Sequence, residues 1–452
     1  VNGEKVNICA IHPGDQISIG GVDMELVPIT KRQEQLQSQL RTRGSGPISS
    51  IFGLILLTLL QVAMLMGFLL SGVEEEYPSY VLGFCSVAIC QWGLFLFYAV
   101  IHRSSFEVET LAFFLCTLGM AAIATVKPGE ILKQAAAMVL GVLTFLLIGW
   151  SLRDLERAKR CRYLAVLLGV GFLVITLLFG REYYGAKNWL VIGGLSLQPS
   201  ELSKVCFVYA GASTMDRIMN KRNLILFIAY SVVICGLLAL MNDFGTAMIF
   251  FCAFLIIAYL RSGSVGTIAL ACTALGFAGV LAIRIAPHAL NRFATWRHIW
   301  ENPYSSGYQQ TQAIMCIASG GLFGLGAGKG FLQKVFAADS DIVFATISEE
   351  WGLLLALLAV LAVAALGFFA IRTSRMSRSS FYCIGGCTAA GILLIQAALN
   401  CLGTVDVLPF TGVTFPFLSN GGTSMIGAWG LLAFVKAADT RQNASFAVRY
   451  TK

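Results

Sequence analysis

Charge is scarce in this chain. Of its 452 residues only 12% are Asp, Glu, Lys or Arg, 57% are hydrophobic, and the mean hydropathy is +0.76. A water-soluble fold of this length cannot bury so much apolar surface, so the composition excludes the soluble classes and predicts a polytopic membrane protein. The net charge of +8 is not a nucleic-acid footprint, because Lys and Arg cluster in short loops, as a topology signal requires. Histidine is also rare, at four residues. Cys383 and Cys387 can share a helix face, yet no His or carboxylate completes a metal set around them. The remaining cysteines, such as Cys85, Cys116, Cys235, Cys252 and Cys272, are scattered through apolar segments and read as buried free thiols. No cleavable signal peptide is visible, since the first residues are polar. The chain opens on Val1 rather than Met, which points to a fragment or a processed chain. No internal repeat of the kind that builds transporters is apparent.

Residues 1–30 differ from the rest. Val6 to Val27 reads as short alternating strands, with turn signals at His12-Pro13-Gly14-Asp15 and Gly20-Gly21. Residues 31–47 form a polar, Gln-rich linker, read as helical. From Ile48 on, apolar stretches long enough to cross a bilayer fall near 50–71, 79–101, 108–126, 131–150, 161–180, 199–214, 222–241, 244–260, 265–284, 346–371, 380–402 and 422–437, about twelve spans. The expected fold is therefore an all-α polytopic membrane protein with a short β segment at its N-terminus. A cytoplasmic tail, 438–452, closes the chain.

Loop charge sets the expected orientation. Lys and Arg are in excess before residue 48, at His102-Arg103, from Arg153 to Arg162, from Arg217 to Arg222, at Arg261 and from Arg372 to Arg378. The alternate loops are Glu74-Glu75-Glu76, Lys127 to Glu130, Arg181 to Leu197, Asn242-Asp243, 286–345 and Gly403 to Asn420. All basic loops fall on one side, which places both termini in the cytoplasm and the long 286–345 loop outside. A loop of that length, rich in Gly, Gln, charge and aromatics, points to function rather than to a spacer.

Ionisable groups at membrane depth are costly and so are candidates for chemistry. Glu201 and Lys204 lie three apart in QPSELSK (198–204) and share a helix face, as a functional or a mutually neutralised structural pair. Asp243 opens a helix, where it is also a plausible N-cap. Asp341, Glu349 and Glu350 flank the end of the long loop. A turn-rich, re-entrant-like stretch, 409–424, opens the last span and carries Ser419.

The motifs QPSELSK (198–204), NDFGTA (242–247), SGYQQTQ (306–312), ASGGLFGLGAGKG (318–330), DIVFATISEEWG (341–352) and TGVTFPFLSNGGTS (411–424) follow one another at family-like spacing. Together they resemble the SEDS family, the RodA/FtsW/SpoVE-like peptidoglycan glycosyltransferases. The resemblance covers 108–437 and implies about ten core spans, so that 48–107 are two additional helices ahead of a glycosyltransferase core. It further implies an integral membrane enzyme of the bacterial cytoplasmic membrane that polymerises lipid II, a disaccharide-pentapeptide on undecaprenyl pyrophosphate, at the outer face with inversion. A loop carboxylate would act as general base, a divalent cation (Mg or Mn) would assist, and a class B penicillin-binding protein would be the partner. No nucleic acid is expected. Residues 1–30 in turn resemble the closing strands of a forkhead-associated (FHA) domain, whose phosphate-reading part would lie upstream.

At one informative place the chain departs from the family. The position of the family's loop Asp is Asn302, and an amide cannot take a proton as a carboxylate does. Glu301 beside it, Asp341, or Asp339 can replace it; alternatively the chain serves as a weakly catalytic scaffold, or as a lipid II flippase. Candidate substrate-binding residues are Lys187, Trp189, Gln198, Glu201, Lys204, Asp243, Gln309, Gln312, Glu350 and Ser419, with Lys187, Arg292, Arg297 and Lys329 as cations for pyrophosphate. Asn188 stands where relatives carry Arg, and Asn420 where they carry Tyr. The glycines 320, 321, 324, 326 and 328 are read as letting backbone amides approach a ligand closely. Trp296 and Trp300 read as interfacial anchors, with sugar stacking as the alternative.

Overall fold

A computed structural model describes residues 1–4, 11–12, 14–19, 22–25, 27, 44–71, 74–183, 185–193, 195–216, 221–266, 269, 272–273, 276 and 287–448. The chain divides into two compact units, Val1–Arg43 with Tyr450–Lys452, and Gly44–Arg449. Within the first, β1 (Gln16–Ile19) pairs antiparallel with β2 (Val22–Glu25), Gln16 facing Glu25. The predicted linker helix lies outside the described residues.

The main unit is helical. In chain order it runs α1 (Pro47–Ser71), α2 (Tyr77–Val100), α3 (Glu107–Val126), α4 (Ile131–Leu152), the short α5 (Leu155–Arg160) and α6 (Arg162–Phe179). A three-stranded antiparallel sheet follows, β3 (Arg181–Tyr183), β4 (Ala186–Ile192) and β5 (Leu195–Leu197), where the sequence suggested only a loop. Then come α7 (Pro199–Met215), α8 (Lys221–Leu240), α9 (Phe244–Ser262), α10 (Pro287–Thr295), α11 (Tyr308–Gly320), α12 (Val343–Trp351), α13 (Leu353–Ser374), α14 (Ser380–Thr404) and α15 (Gly422–Ala438). Among the described residues, nine helical segments are long and apolar enough to span a membrane. Most of the predicted spans are helices; 265–284 falls largely outside the described residues.

α15 is apolar on every side and buried along nearly its whole length, as a central helix must be. Its neighbours approach through glycine. A side chain on Gly141 of α4 would strike Trp429, one on Gly385 of α14 would press on Phe434, and Gly427 of α15 itself lies against the Glu201 backbone. Lipid gives no hydrophobic drive between spans, so close packing of this kind carries helix association. It also explains how the polar α7 survives at this depth, since protein rather than lipid surrounds most of it. The thiols are less uniformly buried than the sequence suggests. Cys116, Cys316 and Cys401 are enclosed, while Cys85 and Cys272 are exposed on the helix surface.

Two expectations change in ways that matter for function. The 286–345 stretch is not an irregular loop, because it contains α10 and α11. The predicted span 346–371 is broken at Gly352, whose φ of 88° belongs to the left-handed region. A break frees backbone groups that lipid cannot satisfy. Here the glycine-rich loop supplies them: the Leu325 and Gly326 amides donate to the carbonyls of Glu349 (2.9 Å) and Glu350 (3.0 Å), and the Leu353 amide donates to the Gly321 carbonyl (3.0 Å). Side chains at Gly320, Gly324 or Gly352 would collide with the opposing backbone. At Gly320, Gly324 and Gly352 the missing side chain thus allows strand-like contact between the loop and the broken helix.

Candidate active site at the loop end of the bundle

The polar residues singled out in the sequence separate into distinct groups. One gathers at the end of the bundle where 286–345 lies. Ala337 sits at φ 56°, and its carbonyl accepts from the amides of Ser340 (3.1 Å) and Asp341 (3.0 Å), folding 337–342 into a tight turn. The turn holds two carboxylates with different partners. Asp339, 1% exposed, accepts from Lys127 Nζ (3.1 Å) and Asn420 Nδ2 (2.7 Å). Asn420 also donates to Glu130 Oε2 at 3.0 Å. Asp339 is therefore neutralised and saturated.

Asp341 is not. It is partly buried, and burial pushes its carboxyl up to about 6, while a hydrogen bond from Ser340 and the positive charge of Arg292 pull the other way. Its Oδ2 lies 3.2 Å from where a Cβ on Gly412 would stand, so the missing side chain lets the 409–424 stretch come close to the carboxylate. Arg292 is held at this spot by donating from Nη1 to the Thr411 carbonyl (3.0 Å). Ser419 donates to the Ser340 carbonyl (2.6 Å) and accepts from the Phe415 amide (2.8 Å), so it fixes the turn.

Asn400, which sequence reasoning missed, does more. Its Nδ2 donates to the Asp341 carbonyl (2.9 Å) and the Val413 carbonyl (2.8 Å), tying the turn to the 409–424 stretch from the last turns of α14. Its sequence signal was an amide within an apolar span, four residues after Gln396. Gln310 was missed too, and it donates to the Gly403 carbonyl at 2.9 Å.

Other predicted residues lie elsewhere or do other work. Glu301 is 70% exposed and pairs with His298 (2.8 Å), and Asn302 beside it is also exposed; neither joins Asp341. Glu349 accepts the amides of Phe331 (2.8 Å) and Leu332 (3.0 Å). Glu350 accepts from Thr125 Oγ1 (2.6 Å) and the Gly330 amide (3.2 Å). Both carboxylates clamp the glycine-rich loop, so Glu350 is placed as an anchor of that loop. Asp243 is the N-cap of α9, accepting from the Thr246 amide (3.1 Å) and from Asn188 Nδ2 (3.3 Å). Lys187 and Trp189 are partly buried on β4, and the Lys187 amide donates to the Met241 carbonyl (2.9 Å).

Glu201 and Lys204 form a buried ion pair (2.7 Å), 5% and 1% exposed. The Gln198 amide donates to Thr423 Oγ1 (3.1 Å). Gln309 donates to the Phe336 carbonyl (2.8 Å), and Gln312 is half-buried on α11. Trp296 Nε1 donates to the Val407 carbonyl (3.2 Å), while Trp300 is 58% exposed. Among the described residues no three His, Cys, Asp or Glu side chains converge as a metal site.

The family model for the cell cycle proteins FtsW, RodA and SpoVE matches residues 109–444. The chain belongs to that family. The peptidoglycan glycosyltransferase RodA of Mycobacterium tuberculosis is 30% identical over 325 residues, covering 67% of this chain and 69% of the relative. FtsW of Bacillus subtilis is 30% identical over 396 residues, covering 80% and 92%. Two solved structures share the fold. A chain from a peptidoglycan synthase complex superposes with a TM-score of 0.63 over 73% of this chain and 96% of that one. RodA of Thermus thermophilus superposes with a TM-score of 0.53 over 73% and 95%. Each of the two is 23% identical to this chain. α1 and α2 lie ahead of the FtsW/RodA/SpoVE match. Neither that match nor the two-stranded hairpin supports the FHA resemblance of residues 1–30.

Proposed function

We propose that this member of the FtsW/RodA/SpoVE family is a peptidoglycan glycosyltransferase that polymerises lipid II, with Asp341 as general base. The observation that carries the reading is the contrast within one turn. Asp339 is locked by a lysine and an amide, while the partly buried Asp341 carboxylate has the hydroxyl of the neighbouring Ser340 and the charge of Arg292. A base works best when its proton affinity lies near the working pH, and burial moves Asp341 toward that range.

In the proposed step, a sugar hydroxyl of one substrate attacks the anomeric carbon of the other. The hydroxyl proton passes to Asp341, the new glycosidic C–O bond forms, and the old C–O bond breaks with its electron pair leaving on the undecaprenyl pyrophosphate. Arg292 lies where it can counter charge near the reacting carbons, and the exposed Lys329 and Arg297 are available to the pyrophosphate. Glu301 stands second as a base, because water and His298 already satisfy it. The names of the relatives support glycosyl transfer over the flippase and scaffold readings.

The rest of the reading follows from charge and likeness. Arg153, Arg157, Lys159 and Arg160 fall at one end of the spans and the Asp341 turn at the other, which supports a cytoplasmic basic end and an outward site. Both termini are then cytoplasmic. The similar chain solved within a peptidoglycan synthase complex supports a class B penicillin-binding protein as partner.

Purified chain given lipid II is expected to yield glycan polymer, and Asp341→Asn to abolish it. Polymer formation by Asp341→Asn at the wild-type rate would reject Asp341 as the base. A wild-type chain that moves lipid II across vesicles without polymerising it would reject the enzyme.

A further inference from the structure

Helices α1 and α2 precede the family match at 109–444, yet α1 reaches the loop that the family motifs build. The Ser71 hydroxyl, at the last residue of α1, lies 2.7 Å from the Ala327 carbonyl and 2.6 Å from the Gly67 carbonyl of its own helix. One turn back, Gly67 has no side chain, and a Cβ there would stand 3.3 Å from Trp351 and 3.5 Å from Ala327. Phe68, 1% exposed, packs against Trp351 (centroids 5.8 Å apart), Tyr80 (5.1 Å) and Phe84 (6.0 Å). α1 therefore touches the glycine-rich loop and the helix end just before the break. Ala327 belongs to the glycine-rich loop, and Trp351 immediately precedes the break at Gly352.

These contacts bear on a segment with little else to hold it from that side. The loop contains no regular structure between Gly320 and Leu332, and left-handed glycines at 324, 326 and 328 leave its backbone soft. Glu349 and Glu350 hold it from the helix side through Gly330, Phe331 and Leu332. Ser71 holds it from the other side at Ala327, two residues before the exposed Lys329.

We propose that the last turn of α1, Gly67 to Ser71, positions the glycine-rich loop so that Lys329 meets the pyrophosphate of the lipid-linked substrate. Ser71 and Gly67 are positioning residues, since they touch the loop and not the reacting atoms. The inference rests on the lipid II reading for the identity of the ligand, while the contact between α1 and the loop stands without it.

The test uses the full chain in lipid nanodiscs. Amide exchange over 325–331 is measured without ligand, and binding of undecaprenyl pyrophosphate and of lipid II is measured separately, so that no turnover is needed. Ser71→Ala removes one hydrogen bond and is expected to speed exchange of these amides and weaken binding of both lipids about fivefold, with kcat within about twofold of wild type. Ser71→Thr keeps the hydroxyl and is expected to restore both. Gly67→Leu presses on Trp351 and is expected to exceed Ser71→Ala in both readouts. Unchanged exchange in Ser71→Ala and Gly67→Leu would overturn the brace. Faster exchange with unchanged binding of both lipids would overturn the positioning role. A wild-type chain that binds undecaprenyl pyrophosphate but forms no polymer would count against the enzyme reading while leaving the positioning role supported by the Ser71 and Gly67 variants.

Discussion

Replacing Asn400 by Asp tests the architecture of the site most sharply, because the change adds no volume. The Asn400 Nδ2 faces the Asp341 carbonyl at 2.9 Å and the Val413 carbonyl at 2.8 Å, in a residue 2% exposed. An alanine would remove two net hydrogen bonds of about 1 kcal/mol each and leave two buried acceptors unpaired, a total near 2–4 kcal/mol. An aspartate is worse, since it sets an acceptor, and when ionised a buried charge, against two carbonyls. The order of stability expected on thermal unfolding in detergent is wild type, then Asn400→Ala, then Asn400→Asp. Activity should fall more steeply than stability. The Asp341 backbone hangs on this amide, and a displacement of about 1 Å in a reacting group costs on the order of a hundredfold in rate. Lipid II polymerisation at a temperature where each variant remains folded separates the two effects. Should Asn400→Asp keep its rate within about twofold of wild type, the amide would not be holding the Asp341 turn.

The remaining predictions address charge and backbone. Polymerisation is expected to decline on acidification through about 6, as Asp341 gains its proton, whereas Glu301→Gln should leave rate and profile within about twofold. Because the folded chain holds the Asp341 proton more tightly than the ordinary value of 3.8, this group favours folding most below that value, and its contribution is lost as pH rises through about 6. Asp341→Asn should accordingly be more stable than wild type above that window while inactive, which melting curves across pH would show. Lys204→Met leaves Glu201 charged and buried, at a cost of about 3–5 kcal/mol, and the double change Glu201→Gln, Lys204→Met should recover most of it. Gly324→Ala sets a side chain against the Glu350 carbonyl at a φ of 84°, so melting should fall by the equivalent of about 2 kcal/mol or more.

Local composition and order were enough for much of this protein. Long apolar runs marked the spans because a bilayer demands about 20 apolar residues whatever the neighbours are. The QPSELSK, NDFGTA and TGVTFPFLSNGGTS stretches, taken in order, pointed to the family although their contacts were unknown. Asp243 was legible as an N-cap, since capping is decided within a few residues of chain. What the sequence could not give was the work assigned to each acid. Glu350 and Asp341 both flanked the long loop and both looked available. Only the approach of 328–332 made Glu349 and Glu350 into clamps, and only the reach of Lys127 and Asn420 saturated Asp339 while passing Asp341 by.

The break at Gly352 shows the same division. A run from 346 to 371 reads as one span, and the glycine within it is no stronger a signal than many others in the chain. It becomes a break because a distant glycine-rich segment lies alongside and satisfies the backbone groups that the helix gives up. Asn400 likewise reads as an amide in an apolar helix until two separate segments converge on it. Membrane insertion and helix capping depend on residues near in the chain, so the sequence alone determined them. The choice of the acid left free to accept a proton depends on which distant donors arrive, and that was decided by the packing of the bundle.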